Sequence, residues 1–111
     1  MYNKVKRVAA IRLDSAEISR LLGSYPSWNY DGSKLTRNLT LRDFETTWSF
    51  LNQIAMRSHL WGHHPTITTS YNKVSLQLTT HDVGGVSNID RKMIEKIESY
   101  CVGREETDGN K

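Results

Sequence analysis

Apolar residues recur along this chain with two different periods, and the first patterned segment has the period of a helix. Asp14 and Glu17 stand at the spacing of a capping box, in which two side chains satisfy free backbone N–H groups at a helix start. We therefore predict a helix over 15–23 that ends at Gly23. Its apolar stripe consists of Ile18, Leu21 and Leu22.

A pair of strands is predicted next. Segments 27–30 and 34–41 flank the dipeptide Asp31-Gly32, which favours the positive φ angles of a tight hairpin turn. Apolar and polar positions alternate imperfectly in the second segment, so the turn residues are the main support for this hairpin.

The clearest period-two pattern lies in the second half of the chain. Segments 66–71 and 74–80 flank Asn72-Lys73, and the first of them is rich in β-branched residues. In the second, every other residue is apolar, as in a strand with one buried face. The apolar positions are Val74, Leu76 and Leu78.

Between the two strand pairs, the pattern predicts a helix of about 16–18 residues. Thr40 and Asp43 are spaced as a capping pair at its start, and Trp61-Gly62 ends it. A helix of this length is expected to lie across a sheet with its apolar stripe in the core. The expected stripe is Phe44, Trp48, Leu51 and Ala55, widened by Phe50, Ile54 and Leu60.

A third helix begins at Ser87 and Asp90, which again have capping-box spacing. From Gly103 onward the chain is polar and expected to fray. The order α-β-β-α-β-β-α predicts an α+β domain, an antiparallel sheet with helices on one face. Residues of the third helix expected to face inward are Ile89, Met93, Ile94, Ile97 and Cys101.

Composition limits the classes of protein that this chain can belong to. It has 111 residues, 37% hydrophobic and 24% charged, which fits one globular domain. The 15 basic residues are scattered and the net charge is only +3, so we expect no direct nucleic-acid partner. No apolar run reaches the roughly 18 residues that would span a membrane. A single cysteine, Cys101, excludes an internal disulfide and suits a reducing compartment.

Residues 1–13 form a basic N-terminal segment, with no acidic residue before Asp14. This feature could mark the start of an organelle-targeting segment, although the segment lacks the serine content typical of one. We therefore expect a cytoplasmic protein, with a mitochondrial one as the alternative. The basic residues concerned are Lys4, Lys6, Arg7 and Arg12.

All four histidines fall within 59–90, and three of them flank the second strand pair. Because an unperturbed imidazole has a pKa near about 6.5, clustered histidines can exchange protons at neutral pH. Pro65 favours an extended backbone at His64, so His63 and His64 should face one point only if the loop twists or a substrate lies between them. Structural surface histidines, or a zinc site supported by Asp82 or Asp90, are the alternatives.

Three separated blocks of the sequence stand in order around the histidines: His63-His64-Pro65, Tyr71-Asn72-Lys73-Val74 and Thr80-His81-Asp82-Val83-Gly84-Gly85, followed by Asp90. Together they resemble the signature of the pterin-4a-carbinolamine dehydratases. The resemblance covers roughly residues 14–100 and implies a four-stranded antiparallel sheet with three helices on one face. It divides the chain into the basic segment 1–13, a dehydratase-like domain at 14–102 and a polar tail at 103–111.

The resemblance implies a lyase that dehydrates a 4a-hydroxytetrahydropterin to quinonoid dihydropterin in tetrahydrobiopterin recycling, without a metal or organic cofactor. It implies that His63, His64 and His81 are the acid–base set. It also implies a pterin held by His63, His64, Pro65, Thr80, His81, Asp82 and Val83.

Two supporting residues are expected around this set, Asp90 and His59. Asp90 can cap the third helix, orient His63 or His81, or do both. His59 stands where the family commonly has an acid, one helical turn before His63. Thr66 also replaces a common acid, so two carboxylates that would stabilise a protonated imidazole are absent from these positions.

Two other functions compete with the lyase hypothesis. Proteins of this family can act as dimerisation partners of transcription factors through a helical face, which would make the chain a binding module. A histidine-ligated metal hydrolase is the third possibility. Small size and the resemblance both predict a homodimer or homotetramer.

Overall fold

Three helices cover one face of a four-stranded antiparallel sheet in the computed structural model, which describes residues 9–106. The predicted fold class and the order α-β-β-α-β-β-α are confirmed. A short 3₁₀ helix, His81–Val83, is the one addition among the described residues. The elements are α1 Ser15–Ser24, β1 Trp28–Tyr30, β2 Leu35–Thr40, α2 Phe44–Trp61, β3 Thr66–Ser70, β4 Lys73–Leu78 and α3 Asn88–Cys101.

The strands lie in the order β1-β2-β4-β3, and each pair is antiparallel. The register from Leu35↔Leu78 to Thr40↔Lys73 places the apolar residues of β2 and β4 on one face. That face is buried under the helices, and the polar residues that alternate with it project to the other side. Its buried apolar members are Leu35, Leu39, Val74, Leu76 and Leu78.

The buried face of α2 includes Phe50, Leu51 and Ile54 of the predicted stripe but not its other members. Phe44 is 50% exposed and Trp48 45% exposed, Ala55 is also exposed, and Leu60 is 39% exposed. Those residues lie on the outer side because the helix turns a mixed stripe of small and apolar residues toward the sheet. The buried stripe is Thr47, Phe50, Leu51, Ile54 and Ser58.

Both ends of α2 are defined by single residues. Asp43 is the N-cap and accepts a hydrogen bond from Thr46 N, so the predicted start at Thr40 is wrong. Thr40 instead belongs to β2, where it is paired with Lys73. The helix ends as predicted at Gly62, which takes the left-handed conformation (φ 65°).

The capping boxes predicted for α1 and α3 are both present. Gly23 does not end α1, which continues to Ser24. The first hairpin has a longer loop than the predicted two-residue turn, since Tyr30 pairs with Leu35. In that loop Asp31 Oδ1 accepts hydrogen bonds from the backbone N–H groups of Ser33 and Lys34.

Residues 103–106, which we predicted to fray, are hydrogen-bonded to the end of β2. Arg42 N donates to Arg104 O, and Glu106 N donates to Thr40 O. Glu105 also pairs with the buried Arg37, with 2.8 Å between Oε1 and Nη2. The remainder of the predicted tail, 107–111, lies outside the described residues.

Of the basic segment, the structure describes only 9–13. This stretch lies antiparallel to 86–88, with Leu13 N donating to Val86 O and Asn88 N to Ile11 O. Lys4, Lys6 and Arg7, the residues behind the targeting hypothesis, lie outside the described residues. Within 9–106, no helix is both long and apolar enough to cross a membrane.

Candidate active site

His63 is placed by the end of α2. The left-handed Gly62 turns the chain out of the helix, and His63 N donates back to Ser58 O at 3.0 Å. The last turn before it holds Trp61, with Arg57 and Lys92 each 5.1 Å from the centre of its ring. Cation–π contacts of this kind help to fix the helix end. The histidine therefore follows a rigid element and not a free loop.

Asp90 binds His63 directly, with 2.6 Å between Nε2 and Oδ1. The carboxylate is fully buried and the His63 side chain is 14% exposed. Asp90 Oδ2 accepts hydrogen bonds from Thr80 Oγ1 at 2.7 Å and from Ser87 N at 3.0 Å. Asp90 thus caps α3 and also orients a histidine, and of the two candidates that histidine is His63.

The contact with Asp90 fixes the tautomer of the His63 ring. An ionised carboxylate can only accept, so Nε2 carries the hydrogen and Nδ1 holds the lone pair of the neutral ring. His63 is therefore equipped to accept a proton.

The three predicted acid–base histidines line one cavity of about 260 Å³. His64 and His81 are exposed there, in contrast to His63. His63 and His64 both reach this cavity although they are adjacent in the chain. The lining residues are Gly62, His63, His64, Thr66, Gln77, Thr79, Thr80, His81 and Asp82.

His81 is presented by a short loop that is closed at its base. Thr80 and Gly85 exchange hydrogen bonds, N to O at 2.9 Å and 3.3 Å. Between them, Gly84 (φ 70°) ends the 3₁₀ helix in the left-handed conformation. Because this conformation favours glycine, it explains why residue 84 of the Gly84-Gly85 pair is a glycine.

Some predicted site residues lie beside the cavity. Among the described residues, the lining does not include Pro65, Val83 or His59. Pro65 lies between two lining residues, and Val83 lies in the 3₁₀ helix that carries His81. His59 is in the last turn of α2 and exposed, and its carbonyl accepts from Gly62 N.

The cavity lining also includes residues that no sequence motif assigns to the site: Gly62, Gln77 and Thr79. Thr66, predicted only as a replaced acid, lines it too. Gln77 belongs to the polar alternation of β4, Thr79 directly follows the strand, and Thr66 is the register partner of Gln77. The alternation of apolar and polar residues along the strand is enough to predict which face of the sheet Gln77 and Thr79 occupy. Only the pairing of the strands, which brings the start of β3 beside the end of β4, gives their nearness to the histidines.

A larger hollow of about 670 Å³ lies elsewhere, over the ends of β2, β3 and β4 toward Glu105. Its lining contains no histidine, and its charged residues are Lys73, Glu105 and Glu106. The smaller cavity is the candidate site because it holds the proton-transfer groups. Within 9–106, no three His, Cys, Asp or Glu side chains are grouped so that they could hold a metal ion.

Comparison with known proteins shows the family of this chain. The family model described as "Pterin 4 alpha carbinolamine dehydratase" matches residues 11–100. A Saccharomyces cerevisiae protein named "Putative pterin-4-alpha-carbinolamine dehydratase" is 41% identical over 114 residues, which cover 90% of this chain and 95% of the relative. A Synechococcus protein of the same name is 34% identical, over 80% of this chain and 96% of the relative.

A solved structure has the same fold. The "transcriptional coactivator/pterin dehydratase" from Brucella melitensis superposes with a TM-score of 0.77 and 33% sequence identity. The match covers 81% of this chain and 98% of the other. The shared part therefore includes nearly all of that chain.

Proposed function

Because this chain belongs to the pterin-4a-carbinolamine dehydratase family, we propose that it removes water from a 4a-hydroxytetrahydropterin to give quinonoid dihydropterin. The observation that carries the proposal is the cavity in which His63, His64 and His81 meet, one of them held by a buried carboxylate. The reaction needs two proton transfers at neighbouring atoms of one ring, and this cavity supplies groups for both.

The bond changes are simple. The C4a–O bond breaks, a proton joins the departing hydroxyl to form water, and the proton on N5 leaves as the C4a=N5 double bond forms. His63 suits the acceptance of the N5 proton, because Asp90 stabilises the imidazolium that forms. The exposed His64 and His81 would both serve the hydroxyl, one donating the proton and the other holding the departing water by a hydrogen bond. Each transfer by a positioned imidazole contributes about 10²–10⁴-fold to the rate.

The substrate would be held at the same cavity. Thr80 and Asp82 line it directly, whereas Pro65 and Val83 flank it. The mechanism uses no metal or organic cofactor, since imidazoles alone move both protons. We place the enzyme in tetrahydrobiopterin recycling in the cytoplasm, as a homodimer or homotetramer.

A direct assay tests the proposal. The carbinolamine is generated freshly in the cuvette, and its conversion to the quinonoid product is followed by absorbance with wild type and with His64→Ala. We expect the wild type to accelerate dehydration well above the spontaneous rate and the variant to lose most of that acceleration. Equal rates with and without the wild-type protein would end the proposal.

The second candidate function is a protein-binding module. The outer side of α2 carries the exposed aromatic rings of Phe44 and Trp48, whose centres are 6.5 Å apart in an edge-on contact. Phe44 also stacks on Tyr71, which follows β3, with 6.2 Å between the ring centres. The name of the Brucella melitensis structure includes a coactivator role. An apolar helical surface of this kind fits either another copy of the chain or a helical segment of a transcription factor.

The α2 surface can be tested apart from the cavity. Trp48→Glu should shift the sedimentation coefficient toward a smaller species, while Ser19→Glu, at an exposed polar position on α1, should not. A wild type that folds and binds a helical peptide through α2, yet has no dehydratase turnover, would favour the binding module over the lyase.

A further inference from the structure

Among the polar residues of β4 and the segment that follows it, Gln77 lines the cavity with its side-chain hydrogen-bonding groups unused. Thr79 Oγ1 donates to Ser33 O at 2.9 Å, and Thr80 Oγ1 donates to Asp90 at 2.7 Å. The side-chain amide of Gln77 makes no hydrogen bond to any residue within 9–106. It is therefore available to a ligand in the cavity.

The direction of Gln77 is set by the sheet. Leu76 and Leu78, on either side of it in β4, are both fully buried under the helices, so Gln77 must project from the opposite face. Its register partners on the neighbouring strands are Thr36 and Thr66. Both are shorter side chains, and they leave the amide partly exposed.

A primary amide presents an acceptor oxygen and N–H donors on one planar group. The pyrimidinone ring of a pterin presents the matching pair, the N3–H donor beside the C4=O acceptor. Two parallel hydrogen bonds can therefore join them, as in other bidentate amide–base contacts. A threonine or serine hydroxyl at this position would not reproduce that planar pair.

We infer that Gln77 is a specificity-determining residue that binds the N3–H/C4=O edge of the substrate ring. The inference rests on the proposed function. C4 is bonded directly to C4a, the carbon that loses the hydroxyl. A residue that holds this edge therefore also fixes the reacting carbon relative to His63, His64 and His81, and it selects rings with a free lactam edge.

The test uses two stable probes, pterin and 3-methylpterin, titrated by calorimetry into wild type and Gln77→Met. Methylation at N3 removes the donor and blocks the contact. We expect wild type to bind pterin about tenfold more tightly than 3-methylpterin, because the net contribution of roughly one hydrogen bond changes the affinity by about that factor. Gln77→Met should bind pterin about tenfold more weakly and bind the two probes equally.

Kinetics provide the second measurement. Gln77→Met should raise KM for the carbinolamine about tenfold and change kcat by less than about threefold, because a binding contact is lost and not a proton-transfer group. Ser75→Ala is the matched control: Ser75 lies on the same face of β4 but does not line the cavity. It should leave both KM and the discrimination unchanged. Gln77→Thr serves in the same measurements if the methionine variant does not fold.

The results separate the two proposals. If wild type dehydrates the carbinolamine but the Gln77 variant keeps wild-type KM and still discriminates the probes, the role of Gln77 is overturned and the lyase remains. If wild type neither dehydrates the carbinolamine nor binds pterin, both are overturned.

Discussion

His63 and Asp90 are 27 residues apart in the sequence, yet Nε2 of one lies 2.6 Å from Oδ1 of the other. The first residue follows the C-terminus of α2, and the second lies in the first turn of α3. Because Asp90 is fully buried and also caps α3, the fold itself holds the carboxylate against the ring. The stability of α3 and the orientation of His63 thus depend on the same side chain.

Asp90→Asn should reduce both turnover and stability. An amide cannot stabilise the imidazolium of His63, so we expect kcat to fall about 10²-fold. Asparagine keeps one acceptor oxygen but turns the other into an NH₂ donor, so it cannot accept all the hydrogen bonds from His63, Thr80 and Ser87. This mismatch should also cost about 1–3 kcal/mol of unfolding free energy, measured by urea titration. Asp14→Asn, in the capping box of α1, is the matched control and should keep wild-type kcat.

The three histidines should separate into two groups when each is changed to alanine. Changing His64 or His81 should lower kcat about 10²-fold, because each serves the proton transfer. Because both side chains are exposed, the free energy of unfolding should change by less than about 0.5 kcal/mol. His63→Ala leaves the buried Asp90 without its partner and should also cost about 1–3 kcal/mol. Met56→Ala, at an exposed position on α2, is the control. Wild-type kcat in all three histidine variants would contradict the proposed site.

The N-cap of α2 predicts a specific dependence of stability on pH. Side-chain and backbone hydrogen bonds from Thr46 lower the pKa of Asp43 below its ordinary value of 3.8. A carboxyl whose pKa is lower in the folded state adds stability above the unfolded pKa, and that stability is lost as pH falls through the folded pKa.

Asp43→Asn keeps the cap acceptor but removes this titration. The stability advantage of wild type over Asp43→Asn, measured by urea unfolding, should therefore be largest near pH 6 and shrink steadily below about pH 4. An advantage that grew as the pH fell would contradict the contribution assigned to Asp43.

Arg37 should be important for stability and not for catalysis. It is buried in β2 and binds Glu98 at 2.9 Å and Glu105 at 2.8 Å. Burial acts to lower the pKa of its guanidinium, but the bonds to Glu105 and Glu98 outweigh burial and raise that pKa overall. The arginine therefore stays charged at any pH at which the protein is folded.

Arg37→Met would leave two partly exposed carboxylates near a buried surface without their cation. We expect a loss of about 1–3 kcal/mol in urea unfolding, less than for a fully buried pair because water screens both glutamates. Arg20→Met, at an exposed site on α1, should change stability little. The kcat of Arg37→Met at a temperature where it remains folded should match wild type, since Arg37 does not line the cavity.

Periodicity and capping signals in the sequence determined which segments form helices and strands. The alternation Val74, Leu76, Leu78 gave the buried face of β4, because side chains in a strand alternate strictly between two faces. The pairs Asp14–Glu17 and Ser87–Asp90 gave two helix starts, since a capping box is a local arrangement of four residues. The blocks around His63 and His81 gave the candidate chemistry.

Tertiary packing decided the properties that local patterns leave open. Both sides of α2 carry apolar residues, so periodicity predicted a buried face that was too wide. The sheet covers Phe50 and Ile54 but leaves out Phe44 and Trp48. The partner of Asp90 also depended on packing, because α2 and α3 must meet before His63 can reach it. Strand pairing likewise brought Gln77 beside the histidines. Contacts between residues distant in the chain follow from how elements pack, whereas the elements themselves follow largely from neighbouring residues.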